Sequence, residues 1–199
     1  MNRNQRRSQQ THIRNPGNGP LPPEVHRHFL EAVGHHQGKR FSQAEDLYDR
    51  ILNQFPSHPD TLHLRGLLAY QRGQNPLALT CIEQAITEDP GKPHYHYNLG
   101  LVLEKEERWE EAIAAYRKAL TINPKYVDAL ANLGNVYRRQ RQWANAITSL
   151  QHALQLKPQS ADIHNTLGVT YKEQGELETA LVHYQQTLKL SPQHAEALN

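Results

Sequence analysis

Thirteen histidines in 199 residues invite a search for metal coordination, and several come in close pairs: His26 with His28, His35 with His36, His94 with His96. Side chains two apart on a helix point to different faces, so the spaced pairs cannot close on one ion. There is no His-Glu-x-x-His run, no Gly-x-Ser-x-Gly elbow and no phosphate-binding glycine loop, and Gly17-Asn18-Gly19 leads into Pro20 instead of a helix. The single cysteine, Cys81, has no motif around it and reads as a core filler, which excludes an intramolecular disulfide framework and a Cys-built zinc cluster. The run Glu104, Lys105, Glu106, Glu107, Arg108, Glu110 and Glu111 reads as a solvated turn with weak ion pairs. Chemistry at fixed side chains is therefore not what this chain offers: it reads as a non-enzyme with no catalytic residue, metal ligand or cofactor.

Composition points the same way. Apolar residues make up 37% and mean hydropathy is −0.79, low for a compact globule, yet Leu, Ala, Ile and Tyr recur regularly. An elongated fold with much exposed surface fits. No apolar run approaches the roughly 18 residues of a membrane span. The net charge of +2 is unevenly placed: residues 1–24 carry Arg3, Arg6, Arg7 and Arg14 against Glu24 alone, leaving −1 for the rest. Affinity for nucleic acid is thus confined to this basic tail. The tail lacks the apolar stretch of a secretory signal and reads as a disordered leader on a cytoplasmic protein.

The elements that follow are set by a repeat. Pro56, Pro90, Pro124, Pro158 and Pro192 are each 34 residues apart, and the same shift superimposes Ala44, Ala78, Ala112, Ala146 and Ala180, and Ala32, Gly66, Gly100, Gly134 and Gly168. The units are 25–58, 59–92, 93–126, 127–160 and 161–194, with 195–199 beginning a sixth. Each carries two stretches of helical periodicity, such as Leu130, Leu133, Val136 and Tyr137, then Trp143, Ala146, Ile147, Leu150, Ala153 and Leu154. Small residues at the eighth and twentieth places let the two helices approach, and the proline stops the second. Gly73 and Gly175 mark turns, and Asn75-Pro76 reads as an N-cap followed by the first helical residue. His28, His96 and His164 share the fourth place, which suggests packing between helices. Phe41, Trp109 and Trp143 share the seventeenth and read as core or turn packing.

Ala129–Tyr137 (ALANLGNVY) and Ile163–Tyr171 (IHNTLGVTY), followed by Ala112–Tyr116 and Ala180–Tyr184 as examples of the second helix, resemble the tetratricopeptide repeat (TPR) motif. The resemblance covers about residues 25–199 and implies an all-α fold, a right-handed α-solenoid of five helix-turn-helix units plus the start of a sixth. Glu31 and Arg65 stand where later units have Leu99, Leu133 and Leu167, so the first two units look less regular. Ile51 and Thr187 likewise replace the small residue of Ala85, Ala119 and Ala153. With no polar closing helix after residue 199, the end around Leu181, Tyr184 and Leu188 is expected to be partly uncovered and to favour self-association.

In this family the first helices line a concave face, which implies binding of a peptide or extended protein segment there. The matching places hold His63, Tyr97, Asn98, Asn132, Asn135, Arg138, Asn165 and Lys172, the candidate ligand-binding residues. Side-chain amides present a donor and an acceptor together and so can grip an extended backbone. The chaperone-tail clamp of some members is not implied, because its places hold Phe29, Val33, Leu64, His94 and Asn98. The Asn-Leu-Gly string and the asparagines Asn98 and Asn132 are also similar to the recognition array of O-linked N-acetylglucosamine transferases, although Thr166 interrupts that ladder. The alternative expectation is hence the substrate-recognition region of a longer glycosyltransferase.

Overall fold

A computed structural model describes residues 21–193. The arginines of the basic tail and the start of the sixth unit lie outside the described residues. Within them the secondary structure is α1 (Pro23–Gln37), α2 (Phe41–Gln54), α3 (Pro59–Gln71), α4 (Asn75–Glu88), α5 (Pro93–Lys105), α6 (Trp109–Ile122), α7 (Val127–Arg139), α8 (Trp143–Leu156), α9 (Ala161–Gln174) and α10 (Leu177–Leu190). From α2 onward, successive first helices and successive second helices start 34 residues apart. The first helix departs slightly, because Pro23 supplies a preset φ at its start and Glu24 an acid in its first turn. It takes in the last two residues of the segment read as tail.

The repeat prolines act one step after the helix. α2, α4, α6, α8 and α10 each end two residues before one of them, and the intervening residue is non-helical, as with Asn123 at φ −129°, ψ 92°. Between the helices of each pair the fifteenth place is left-handed: Gly73 and Gly175 at φ 74° and 94°, but also Lys39, Glu107 and Arg141 at 57°, 58° and 58°. The second helix then starts at the seventeenth place in all five pairs. Asn75 is consequently the first helical residue and not the cap; Gln74 caps α4 without a side-chain bond, and Pro76 occupies the second helical position.

The helices gather into two compact units dividing between Pro90 and Gly91. In the first, α1 to α4 enclose Ala32, Ala44, Tyr48 and Leu68. Arg65, which makes the second repeat look less regular in sequence, is 8% exposed and bonds Asp49 Oδ1 and Glu45 Oε1, each at 2.7 Å. An ion-paired cluster thus stands where the later repeats have leucine. In the second unit, Leu130, Leu150, Ala153, Ile163 and Leu167 form a continuous cluster across α7, α8 and α9. The close approach is visible at Gly134: a Cβ there would lie 2.6 Å from Leu150 Cγ and 3.2 Å from the Ala146 carbonyl oxygen. Ala146 opposite is fully buried. On α10, Leu181 is exposed and Tyr184 and Leu188 are half-buried.

Candidate functional site

Three of the candidate residues follow one another on α7. Asn132, Asn135 and Arg138 are spaced by three and so share one helix face, where all are half-buried. Their side chains are held in place. Asn132 Nδ2 donates to the Tyr97 hydroxyl at 3.2 Å, tying α7 to α5. Arg138 donates through one terminal nitrogen to Asn135 Oδ1 at 3.1 Å and through the other to Glu173 Oε1 at 2.6 Å, tying α7 to α9. The row of amide and guanidinium groups on α7 is therefore linked to α5 at one end through Tyr97 and to α9 at the other through Glu173.

Beneath the row lies an aromatic base. The Tyr97 ring is 4.9 Å from that of Tyr126 and 5.9 Å from that of Tyr116, tilted against both. Tyr116 is completely buried and donates to Glu104 Oε2 at 2.9 Å. Burial first, then the adjacent Glu104 carboxylate, holds the Tyr116 phenol far above its ordinary value, and burial pushes Tyr126 up to about 12. These phenols are neutral hydrogen-bond donors throughout the physiological range.

Four family models described as tetratricopeptide or TPR repeats match residues 63–127, 115–148, 134–175 and 161–194, which together run unbroken from 63 to 194. The chain belongs to the tetratricopeptide repeat family. Solved structures show the same fold. A MamA structure from Desulfovibrio magneticus RS-1 matches with a TM-score of 0.80 at 18% identity, over 88% of this chain and 99% of that one. YrrB, described as a TPR protein with an unusual peptide-binding site, matches at 0.75 and 22% identity, over 86% and 88%. PilW, a type IV pilus biogenesis factor, matches at 0.78 and 21%, over 86% and 80%.

Against this TPR frame the expected site residues divide. Tyr97, Asn98, Asn132, Asn135 and Arg138 are half-buried and Lys172 is exposed, all on first helices of the second unit. His63 and Asn165 are only 5% and 4% exposed, so packing has taken the surface that a ligand would need. His63 in addition belongs to the first unit. At the fifth place of the repeats His63 and Asn165 are buried, whereas Tyr97 and Ala131 are half-buried. Glu173, which anchors Arg138, carried no sequence signal except its place one residue beyond Lys172.

The histidines are structural where their partners are visible. His164 and His183 approach through their Nδ1 atoms at 3.1 Å, and the His183 ring stacks on Tyr171 with 5.5 Å between centroids. His36 lies within hydrogen-bond distance of the Tyr48 hydroxyl and Gln71 Oε1. Cys81 is buried, and burial pushes its thiol up, opposite to what a nucleophile needs. No helix among the described residues is long and apolar enough to cross a membrane.

Proposed function

We propose that this TPR chain is a protein-interaction module that holds an extended peptide segment against α5, α7 and α9 of its second unit. One observation carries the reading: the chain of side-chain contacts from Tyr97 through Asn132, and from Asn135 through Arg138 to Glu173, presents oriented donors and acceptors at a half-exposed face. Amides prearranged in this way can meet the alternating N–H and C=O groups of a backbone without first losing side-chain entropy. Asn98 extends the row on α5 and Lys172 extends it on α9. The peptide-binding site ascribed to YrrB, a protein of the same fold, supports the same reading. Binding and not catalysis is the role such a surface supports.

Selection of peptides from a displayed random library on the immobilised chain, followed by fluorescence-polarisation titration, tests this. Each neutral hydrogen bond contributes about 0.5–1.5 kcal/mol, so Asn98→Ala with Asn132→Ala should weaken the selected peptide by roughly 1–3 kcal/mol. Gln151→Ala, on the exposed side of α8, should leave it unchanged. Equal loss in both variants, or none in either, removes the assignment.

A further inference from the structure

The polar row ends at a second feature that the peptide reading does not use. Where α7 ends, Arg138, Arg139 and Arg141 meet Trp109 at the start of α6, Trp143 at the start of α8 and Glu173 near the end of α9, around a cleft of about 540 Å³. Three guanidiniums thus face one carboxylate, and that carboxylate is already bound to Arg138. The Arg138 Nε is buried with no hydrogen-bond partner, so this guanidinium is incompletely satisfied by the chain itself. Arg139 and Arg141 are exposed, and Arg139 lies over the Trp109 ring at 5.6 Å. Stacking of this kind positions a guanidinium while leaving its N–H edges available to an acceptor.

We propose that this cleft binds an acidic side chain of a peptide, with a neighbouring flat or apolar side chain of that peptide resting on Trp109 and Trp143. The proposal rests on the peptide reading above and adds its specificity: Arg138 belongs both to the row and to the cleft. The exposed Arg139 and Arg141 supply charge-assisted, fork-shaped contacts suited to carboxylate, while Arg138, held by Asn135 and Glu173, adds its charge. The half-buried Trp109 and Trp143 favour a ligand carrying an apolar group next to its charge.

The probe is a fluorescein-labelled random copolymer of glutamate and tyrosine, titrated by polarisation against the whole chain, with a lysine–tyrosine copolymer and single-stranded polyuridylate as the other arms. The glutamate copolymer should bind and the lysine copolymer should not. Replacing Arg139→Gln and Arg141→Gln together should weaken it roughly ten- to hundredfold, and Arg141→Glu alone about tenfold or more. The pair Lys125→Gln and Lys157→Gln removes the same charge from exposed loops elsewhere in the unit and should change it by no more than about twofold. Equal weakening by the lysine and arginine pairs, or tighter binding of polyuridylate than of the glutamate copolymer, overturns the proposal. Asn98→Ala with Asn132→Ala separates the two readings. Loss there with no loss in the arginine variants sinks the cleft and leaves the amide row; the converse sinks the row and leaves the cleft.

Discussion

Asn132 on α7 and Tyr97 on α5 are joined by a hydrogen bond of 3.2 Å from the asparagine amide to the phenol, linking the sixth place of one repeat to the fifth of the repeat before. The tyrosine is itself fixed by the rings of Tyr116 and Tyr126, so the amide is oriented by an element that cannot readily turn. Tyr97→Phe keeps the ring packing and removes the oriented hydroxyl. Peptide affinity should fall by about 0.5–1.5 kcal/mol, with a loss of folding stability no larger than that. Titration and thermal melts of the same preparation check both, and unchanged affinity would mean that the hydroxyl does not organise the face.

The approach of α7 to α8 sets a second expectation. A single methyl at Gly134 already meets Leu150 Cγ at 2.6 Å, so Gly134→Leu must push the helices apart or force Leu150 from its rotamer. Ala146, fully buried, has no more room. Either substitution by leucine should destabilise by roughly 1–3 kcal/mol, read as a shift of the urea midpoint.

Backbone strain gives a prediction of opposite sign at equivalent positions. Glu107 holds a left-handed conformation at φ 58°, a cost of about 1–2 kcal/mol for a residue with a Cβ, of which glycine's extra chain entropy offsets up to about 1. Glu107→Gly should therefore stabilise slightly. Gly175→Ala should destabilise by about 1 kcal/mol, although a Cβ there meets nothing within 4 Å. Thermal melts of the two variants should move in opposite directions.

The contrast at that place shows what could be read from the sequence. The turn at this place was legible at Gly73 and Gly175, where the residue type announces it, and not at Lys39, Glu107 and Arg141, which adopt the same left-handed backbone between their two flanking helices. The prolines and small residues were legible for a related reason: each acts on the backbone locally, and 34-residue repetition separates its effect from chance. Side-chain destinations were not. Asn165 and Tyr97 occupy the same place, yet one is buried and the other half-buried, because the packing of the neighbouring repeat decides the outcome. Trp109 and Arg139 come together only through packing of one repeat on the next.

Buried histidines make stability depend on pH. Burial lowers the His183 pKa from an ordinary value of 6.5, and His164 beside it lowers it further; His36 is lowered by burial against a smaller opposing effect of Gln71. With the folded value below the unfolded one, the unfolded chain binds more protons below about pH 6.5. The stabilising contribution is complete above that value and is lost progressively as pH falls from it through the lower folded value. Urea midpoints should accordingly decline between about pH 7 and pH 5, and His183→Gln should flatten that decline. An equal decline in the variant would assign the effect to other groups.

The cluster at Arg65 yields the sharpest test of how the first unit replaces a repeat leucine. Arg65 is 8% exposed, while the side chains of its partners Glu45 and Asp49 are 23% and 50% exposed, so the acids can regain water when the arginine is removed. Arg72 also pairs with Glu45 and would retain that carboxylate. Arg65→Ala loses the ion pairs and leaves a void, and should cost about 2–4 kcal/mol. Arg65→Leu restores the residue type of Leu99, Leu133 and Leu167 and refills most of the space. Because Asp49 and Glu45 can regain water and Glu45 keeps Arg72, the remaining acids are not left as buried unpaired charges, so this variant should lie at least about 1 kcal/mol above Arg65→Ala. Urea denaturation at low and high salt measures both. Equal destabilisation by alanine and leucine would show that the charges, and not the filled volume, hold α3 against α2.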